Sequence, residues 1–204
     1  MKLRKRVLGL GLLGTALAAS GMSQTSSTWG VGATAGFVND VGNHHGFHLN
    51  RFKKSEVTGW LDYRLQEQTL LRLTYGSMRT AGSNAGATVI VPVDGAPGAL
   101  TLPAYRERIE YGTIGASYLF VESFYTAGLF AGIGGYHVKP DSIGPEFLPF
   151  RDRDETVFGW HAGVDGELRL AHHLGLVARL TYHNFAAHPH RQFFNADAGL
   201  AGRF

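Results

Sequence analysis

The chain has 204 residues, a formal charge of +3, a pI near 9.3 and no cysteine. Without cysteine there is no lipidated N-terminus, no disulfide framework and no thiol-based metal site. The basic balance does not point to nucleic acid, because Lys2, Arg4, Lys5 and Arg6 lie in a leader-like segment. Removing these four from 19 Lys+Arg leaves 15 against 16 Asp+Glu.

That leader reads MKLRKR, then VLGLGLLGTALAA, then SGMSQ. A basic start, an apolar run too short to span a bilayer, and small residues at Ala16-Leu17-Ala18 are what a secretory signal requires. We expect a signal peptide over residues 1–24, cleaved between Ala18 and Gln24, and a single domain over 25–204. No 18-residue apolar run follows the leader, so a helical membrane protein is excluded and the remaining choice is a soluble β-protein or a membrane barrel.

The mature chain alternates with period two almost throughout. The first strand, Ser27 to Phe37, sets Trp29, Val31, Ala33, Ala35 and Phe37 against Gly30, Gly32, Thr34 and Gly36; Val38 to Phe52 reads as a loop. The second, near Glu56 to Gln66, sets Val57, Leu61, Tyr63 and Leu65 against Glu56, Thr58, Trp60, Asp62 and Arg64. After a short turn at Glu67-Gln68, the third sets Leu71, Leu73 and Tyr75 against Arg72, Thr74, Gly76 and Met78.

A long connection follows, in which ATVIVPV and ALTLPAY flank DGAPG. This hairpin signal predicts that strands three and four extend past the membrane as a projecting ribbon. The fourth strand then carries Ile114, Ala116, Tyr118 and Phe120 opposite Thr113, Gly115 and Ser117, and turns at Val121-Glu122-Ser123. The fifth carries Tyr125, Ala127, Leu129, Ala131 and Ile133 opposite Thr126, Gly128, Phe130, Gly132 and Gly134.

Val138 to Thr156 reads as a loop. The sixth strand sets Phe158, Trp160, Val164, Leu168 and Leu170 against His161, Gly163, Asp165, Glu167 and Arg169. His172-His173 turns the chain, and the seventh strand sets Leu174, Leu176, Leu180 and Tyr182 against Val177, Arg179, Thr181 and His183. The closing strand, Gln192 to Phe204, sets Phe194, Leu200, Gly202 and Phe204 against Asn195, Asp197 and Arg203.

Eight strands with three tight turns on one rim and longer segments on the other predict an all-β, eight-stranded antiparallel up-and-down transmembrane barrel. A soluble barrel would turn its apolar face inward around a cavity. Here the second face of each strand is Gly, Thr or charge. The apolar face ends in aromatics at both rims: Trp29, Tyr63, Tyr118, Phe120, Tyr125 and Phe204 by the tight turns, Phe37, Phe158, Trp160, Tyr182 and Phe194 by the loops.

A closing strand that alternates in this way and ends in Phe resembles the last strand of bacterial outer-membrane barrels. Residues 25 to 204 together resemble the small eight-stranded superfamily that includes the OmpA transmembrane domain and OmpX-like and OmpW-like proteins. The resemblance implies a place in the outer membrane among its lipids and insertion by the barrel-assembly machinery, with Leu200, Gly202 and Phe204 as its C-terminal signal. It also implies periplasmic termini and loops outside the cell, and no peptidoglycan-binding domain is expected after Phe204.

The inward parity collects Asp62, Arg64, Arg72, Asp165, Glu167, Arg169, Arg179, Asp197 and Arg203. Eight strands enclose room only for side chains, so these charges are expected to pair as a network that plugs the lumen. The alternative is a narrow channel for small solutes. His44, His45 and His48 in the first loop and His188 and His190 in the last are the candidates for zinc or copper, although their spacing matches no closed site.

A third reading, a lipid A-modifying enzyme, rests on similarity to outer-membrane deacylases near the end of strand seven. Their serine two residues beyond the histidine is absent here, where His183 precedes Asn184 and Phe185. No catalytic residue and no cofactor are therefore assigned. An extracellular protein partner is expected through loops 81–104 and 138–156, the first of which carries an apolar, β-prone ribbon edge. Its cover, if it folds back, would be Ile143, Phe147, Leu148 and Phe150.

Overall fold

The computed structural model describes residues 27–41, 54–81, 88–93, 96–101, 106–140, 154–188 and 190–204. The leader, most of the predicted loops and the residues at 143–150 expected to cover the ribbon lie outside this set. Among the described residues there are ten strands: β1 Trp29–Asp40, β2 Ser55–Gln66, β3 Thr69–Ala81, β4 Thr88–Val93, β5 Ala96–Thr101, β6 Arg106–Glu122, β7 Tyr125–Pro140, β8 Glu155–Ala171, β9 Leu174–Phe185 and β10 Arg191–Arg203.

Eight of them close into one antiparallel barrel in the order β1-β10-β9-β8-β7-β6-β3-β2. β1 and β10 zip the seam from Gly30↔Arg203 to Asp40↔Phe193. A reciprocal backbone pair between Trp29 and Phe204 fastens its end, at 3.0 and 2.8 Å. Strands of 12 to 17 residues exceed the 9–11 or so that a tilted strand needs to cross hydrocarbon.

Three differences from the sequence reading share one cause. β1 continues through Asp40, β7 through Pro140 and β8 begins at Glu155, all inside segments read as loops. These stretches are polar and alternate poorly, but a neighbouring strand supplies the backbone partner that the side-chain pattern does not advertise. Similarly, β6 runs to Glu122, so the turn lies at Ser123-Phe124, where Ser123 N donates to Tyr125 O.

The hairpin is a separate two-stranded sheet, β4-β5, rather than an extension of the third and fourth predicted strands. Its register pairs Val93 with Ala96 and Pro92 with Pro97, so Ala-Pro-Gly of the predicted turn belongs to β5. With Val93 paired to Ala96 only two residues separate the strands, the favoured length for a hairpin, which outweighs the turn propensity of Pro97-Gly98.

Among the described residues the register irregularities lie at the tight-turn rim, at Arg64/Gln66, Leu119/Val121 and Arg169/Ala171. Bulges at a barrel rim bend the strand into its turn. On the outside, Leu61, Leu73, Ile114, Leu129, Ile133, Val164, Leu176, Leu180 and Leu200 are all exposed. On the inside, Glu56, Asp62, Arg72, Glu167, Arg179, Asn195 and Asp197 are all buried. This is the polarity of a membrane barrel, inverted from that of a soluble one.

Candidate functional site: the barrel lumen

Each lumen residue is aimed by strand parity, and the stagger of the closed sheet then decides which of them meet. In the half nearer the tight turns, Arg72 on β3 reaches its cross-strand partner Asp62 with Nε and Nη2 at 2.7 and 2.9 Å. Its Nη1 donates across the lumen to Asp165 of β8 at 2.6 Å. Arg179 faces Asp165 in register, with Nη2 3.8 Å from the same carboxylate.

Two aromatic rings sandwich this charge. The guanidinium carbon of Arg179 stands 4.0 Å from the centroid of a Trp60 ring and 4.7 Å from Phe130, and that of Arg72 stands 5.6 and 5.2 Å from the same rings. Facing π-clouds therefore offset two neighbouring like charges. Trp60 lies flat because Gly32 is opposite it; a Cβ at Gly32 would come within 2.2 Å of the indole.

Nearer the turns, Arg203 donates to both oxygens of Glu167, with the shortest contact 2.6 Å. Between this pair and the Arg72 cluster lies a cavity of about 20 Å³ lined by Trp60, Asp62, Arg72, Asp165, Glu167 and Arg203. It has room for about one water and polar partners to hold it.

Toward the loops the lumen changes character. Glu56 accepts from Tyr111 Oη at 2.5 Å and from Asn195 Nδ2 at 2.6 Å, with His183 Nε2 3.7 Å away and Asp197 alongside. Tyr111 stands over Gly76, whose Cβ would meet its ring at 2.3 Å. His183 also pairs through Nδ1 with Tyr136 Oη at 3.1 Å, and His161 pairs through Nε2 with Thr113 at 3.2 Å.

Above this cluster an apolar layer crosses the lumen. Val38, Met78, Ile109, Tyr136, Val138, Phe185 and Phe193 pack together with essentially no exposure. Tyr136 and Phe185 stack at 4.5 Å, and Phe185 and Phe193 at 5.8 Å. Arg191 pairs with Glu107, which accepts from Thr80 at 2.9 Å, and lies 3.6 Å from Asp40.

The closed barrel has counterparts among solved structures. The chain superposes on Neisserial surface protein A with a TM-score of 0.58 at 16% identity, covering 87% of this chain and 98% of that one. A major outer membrane protein from Thermus thermophilus gives 0.55 at 12% identity, covering 88% and 100%. Ail of Yersinia pestis gives 0.50 at 11% identity, covering 87% and 97%.

The fold is that of the small eight-stranded outer-membrane β-barrels. No known family profile and no curated protein matches the chain.

Within this outer-membrane barrel fold, the nine charges placed on the inward parity separate into groups. Asp62, Arg72, Asp165 and Arg179 form one cluster and Glu167 with Arg203 a second, while Asp197 lies with Glu56. Arg64 instead turns to the rim, donating to the backbone oxygens of Ser27 (3.0 Å) and Glu67. Arg169 is half-buried beside the bulge at the same rim.

His183, which the sequence set on the inward parity, is fully buried inside the barrel. Of the loop histidines, His44, His45 and His48 lie outside the described residues. His188 contacts Glu155 and His190 contacts Asn184. Among the described residues, no three His, Cys, Asp or Glu side chains converge as a metal would need. Leu200 and Phe204 face outward, and the Phe204 ring stacks on His173 at 6.0 Å.

The sequence reading missed the Glu56 cluster and the Asp40–Glu107–Arg191 group as sites. Glu56 has inward parity, but Asp40, Glu107 and Arg191 lie in stretches that alternate too weakly to be read as strand. The available signal was a charge that shares its parity with apolar residues, as Glu107 does with Ile109 and Tyr111 in RERIEY.

Proposed function

We propose that this chain is an integral outer-membrane protein whose barrel is a sealed structural anchor and whose loop-end segments carry its interactions. The observation that supports a seal is the filling of the lumen by two kinds of material in series. A paired Arg–carboxylate network occupies the half nearer the turns, and an apolar layer centred on Tyr136, Phe185 and Phe193 crosses the half nearer the loops. An ion would have to cross both, and the cavity beside Arg72 holds about one water.

The exposed ribbon β4-β5 is the surface offered to an extracellular protein. Ile90 is 78% exposed and β4 pairs only with β5 among the described strands. An open apolar strand edge accepts a strand from a partner. On β10, outward Leu200 and Phe204 with Gly202 between them are what the barrel-assembly machinery would take up during insertion, leaving the termini in the periplasm and the loops outside.

The seal is tested in planar bilayers with the purified, refolded chain. The expected result is insertion, read as a heat-sensitive shift in electrophoretic mobility, without unit conductance steps. Repeated steps of one size would overturn the seal and favour a narrow channel. Deleting residues 85–102 should leave insertion intact and reduce binding to cells or to a partner protein, and undiminished binding would remove the ribbon from the proposal.

A further inference from the structure

The outward face of the barrel is apolar until its loop end, where one arc becomes cationic. The register sets Arg79 of β3 directly opposite Arg108 of β6, and Arg108 directly opposite Lys139 of β7. All three have the parity of Tyr75, Ile114 and Ile133, and all three are exposed. Arg106, opposite Ala81, adds a fourth charge one step further out.

Directly opposed side chains on one face stand about 5 Å apart at Cβ, and like charges so placed repel. Part of that repulsion is answered locally: Arg108 pairs with Glu110 at 2.7 Å and bonds Ser77 at 3.2 Å. Asp154, just before β8, is 3.6 Å from His137. Among the described residues, Arg79, Arg106 and Lys139 have no carboxylate partner.

Position says what should supply the missing anion. Arg79 is four residues beyond Tyr75, whose exposed ring ends the apolar belt on β3. At about 3.3 Å per residue and a tilt of about 40°, the backbone of the row stands roughly 10 Å beyond that ring along the membrane normal. The headgroup layer is about 5–7 Å deep on each side, and long Arg and Lys side chains reach back into it from just outside.

The geometry points to a binding site on this arc for the phosphates of an anionic lipid headgroup in the leaflet at the loop end, held by Arg79, Arg108 and Lys139. Guanidinium groups take phosphate oxygens in pairs, while the ammonium contributes a point charge. The acyl chains of the same lipid then lie along Tyr75, Ile114 and Ile133. The site deepens the outer-membrane reading and rests on it.

The test uses the full chain reconstituted into phosphatidylcholine vesicles doped with bisphosphorylated lipid A or, in parallel, with its dephosphorylated form. Lipid that stays with the barrel after detergent extraction is measured by native mass spectrometry. Wild type should retain lipid A at least tenfold over the dephosphorylated form, with the preference collapsing between about 50 and 500 mM salt as screening shortens the reach of the charges.

The triple variant Arg79→Gln, Arg108→Gln, Lys139→Gln should lose the preference while inserting normally, and Glu110→Gln should strengthen it. Equal retention of both lipids by wild type, or a salt-independent preference, overturns the site even if the triple variant fails to fold. Displacement of the lipid by millimolar inorganic phosphate, or binding of soluble dextran sulfate in place of lipid, also overturns it. Failure of wild type to insert at all overturns the membrane reading with it, whereas insertion without preference overturns this site alone.

Discussion

Arg72 gives the sharpest test of how the lumen is held. Its side chain is 6% exposed and forms three charged hydrogen bonds of 2.6 to 2.9 Å to Asp62 and Asp165. Arg72→Met keeps the aliphatic stem but leaves two carboxylates facing one another, with only Arg179 nearby. Removing one partner of a buried ion pair costs about 3–5 kcal/mol, mostly because the remaining charge is stranded.

With a urea dependence of about 2 kcal/mol per molar, the unfolding midpoint in lipid vesicles should fall by roughly 1.5–2.5 M. The double variant Asp62→Asn, Arg72→Met removes the stranded charge while leaving Asp165 to pair with Arg179, and should recover more than half of that loss. Tryptophan fluorescence reports the transition directly, because Trp60 packs against the guanidinium. A midpoint shift below about 0.5 M for Arg72→Met, or a double variant less stable than the single one, would refute the view that paired charge fills this end.

Three further outcomes check other parts of the architecture. Leu129→Arg, on the exposed belt of β7, should cost about 2–4 kcal/mol in a bilayer, measured by equilibrium unfolding, because it carries charge toward the membrane midplane. Gly32→Val should cost about 1–3 kcal/mol, since any Cβ there collides with the Trp60 indole, and a Trp60→Ala background should relieve it in a double-mutant cycle. Phe185→Ala should cost about 3–5 kcal/mol by removing the middle ring of the stacked layer, with the loss again read from the unfolding midpoint.

The part of the fold that the sequence determined is the part carried by period two. Leu61, Leu129 and Leu180 had to share one face and Asp62, Phe130 and Arg179 the other, because successive residues of a strand point opposite ways. Even Trp60 and Phe130, apolar residues of inward parity, were placed correctly by parity against hydrophobicity, and both are buried in the lumen. Strand ends at Asp40, Pro140 and Glu155 were not legible, since a backbone partner on the next strand extends them and no local pattern records it.

What only the tertiary structure decided is who meets whom inside. Arg72 and Asp165 are 93 residues apart, and Glu56 and Asn195 are 139 apart. Parity says that each points inward, but their heights along the axis depend on the stagger accumulated over eight strand pairings. The same closure put Arg64, read as a lumen charge, at the rim against backbone carbonyls, and put Arg79, Arg108 and Lys139 side by side on the outside. One chain direction fixes a face; only a closed sheet fixes a level on it.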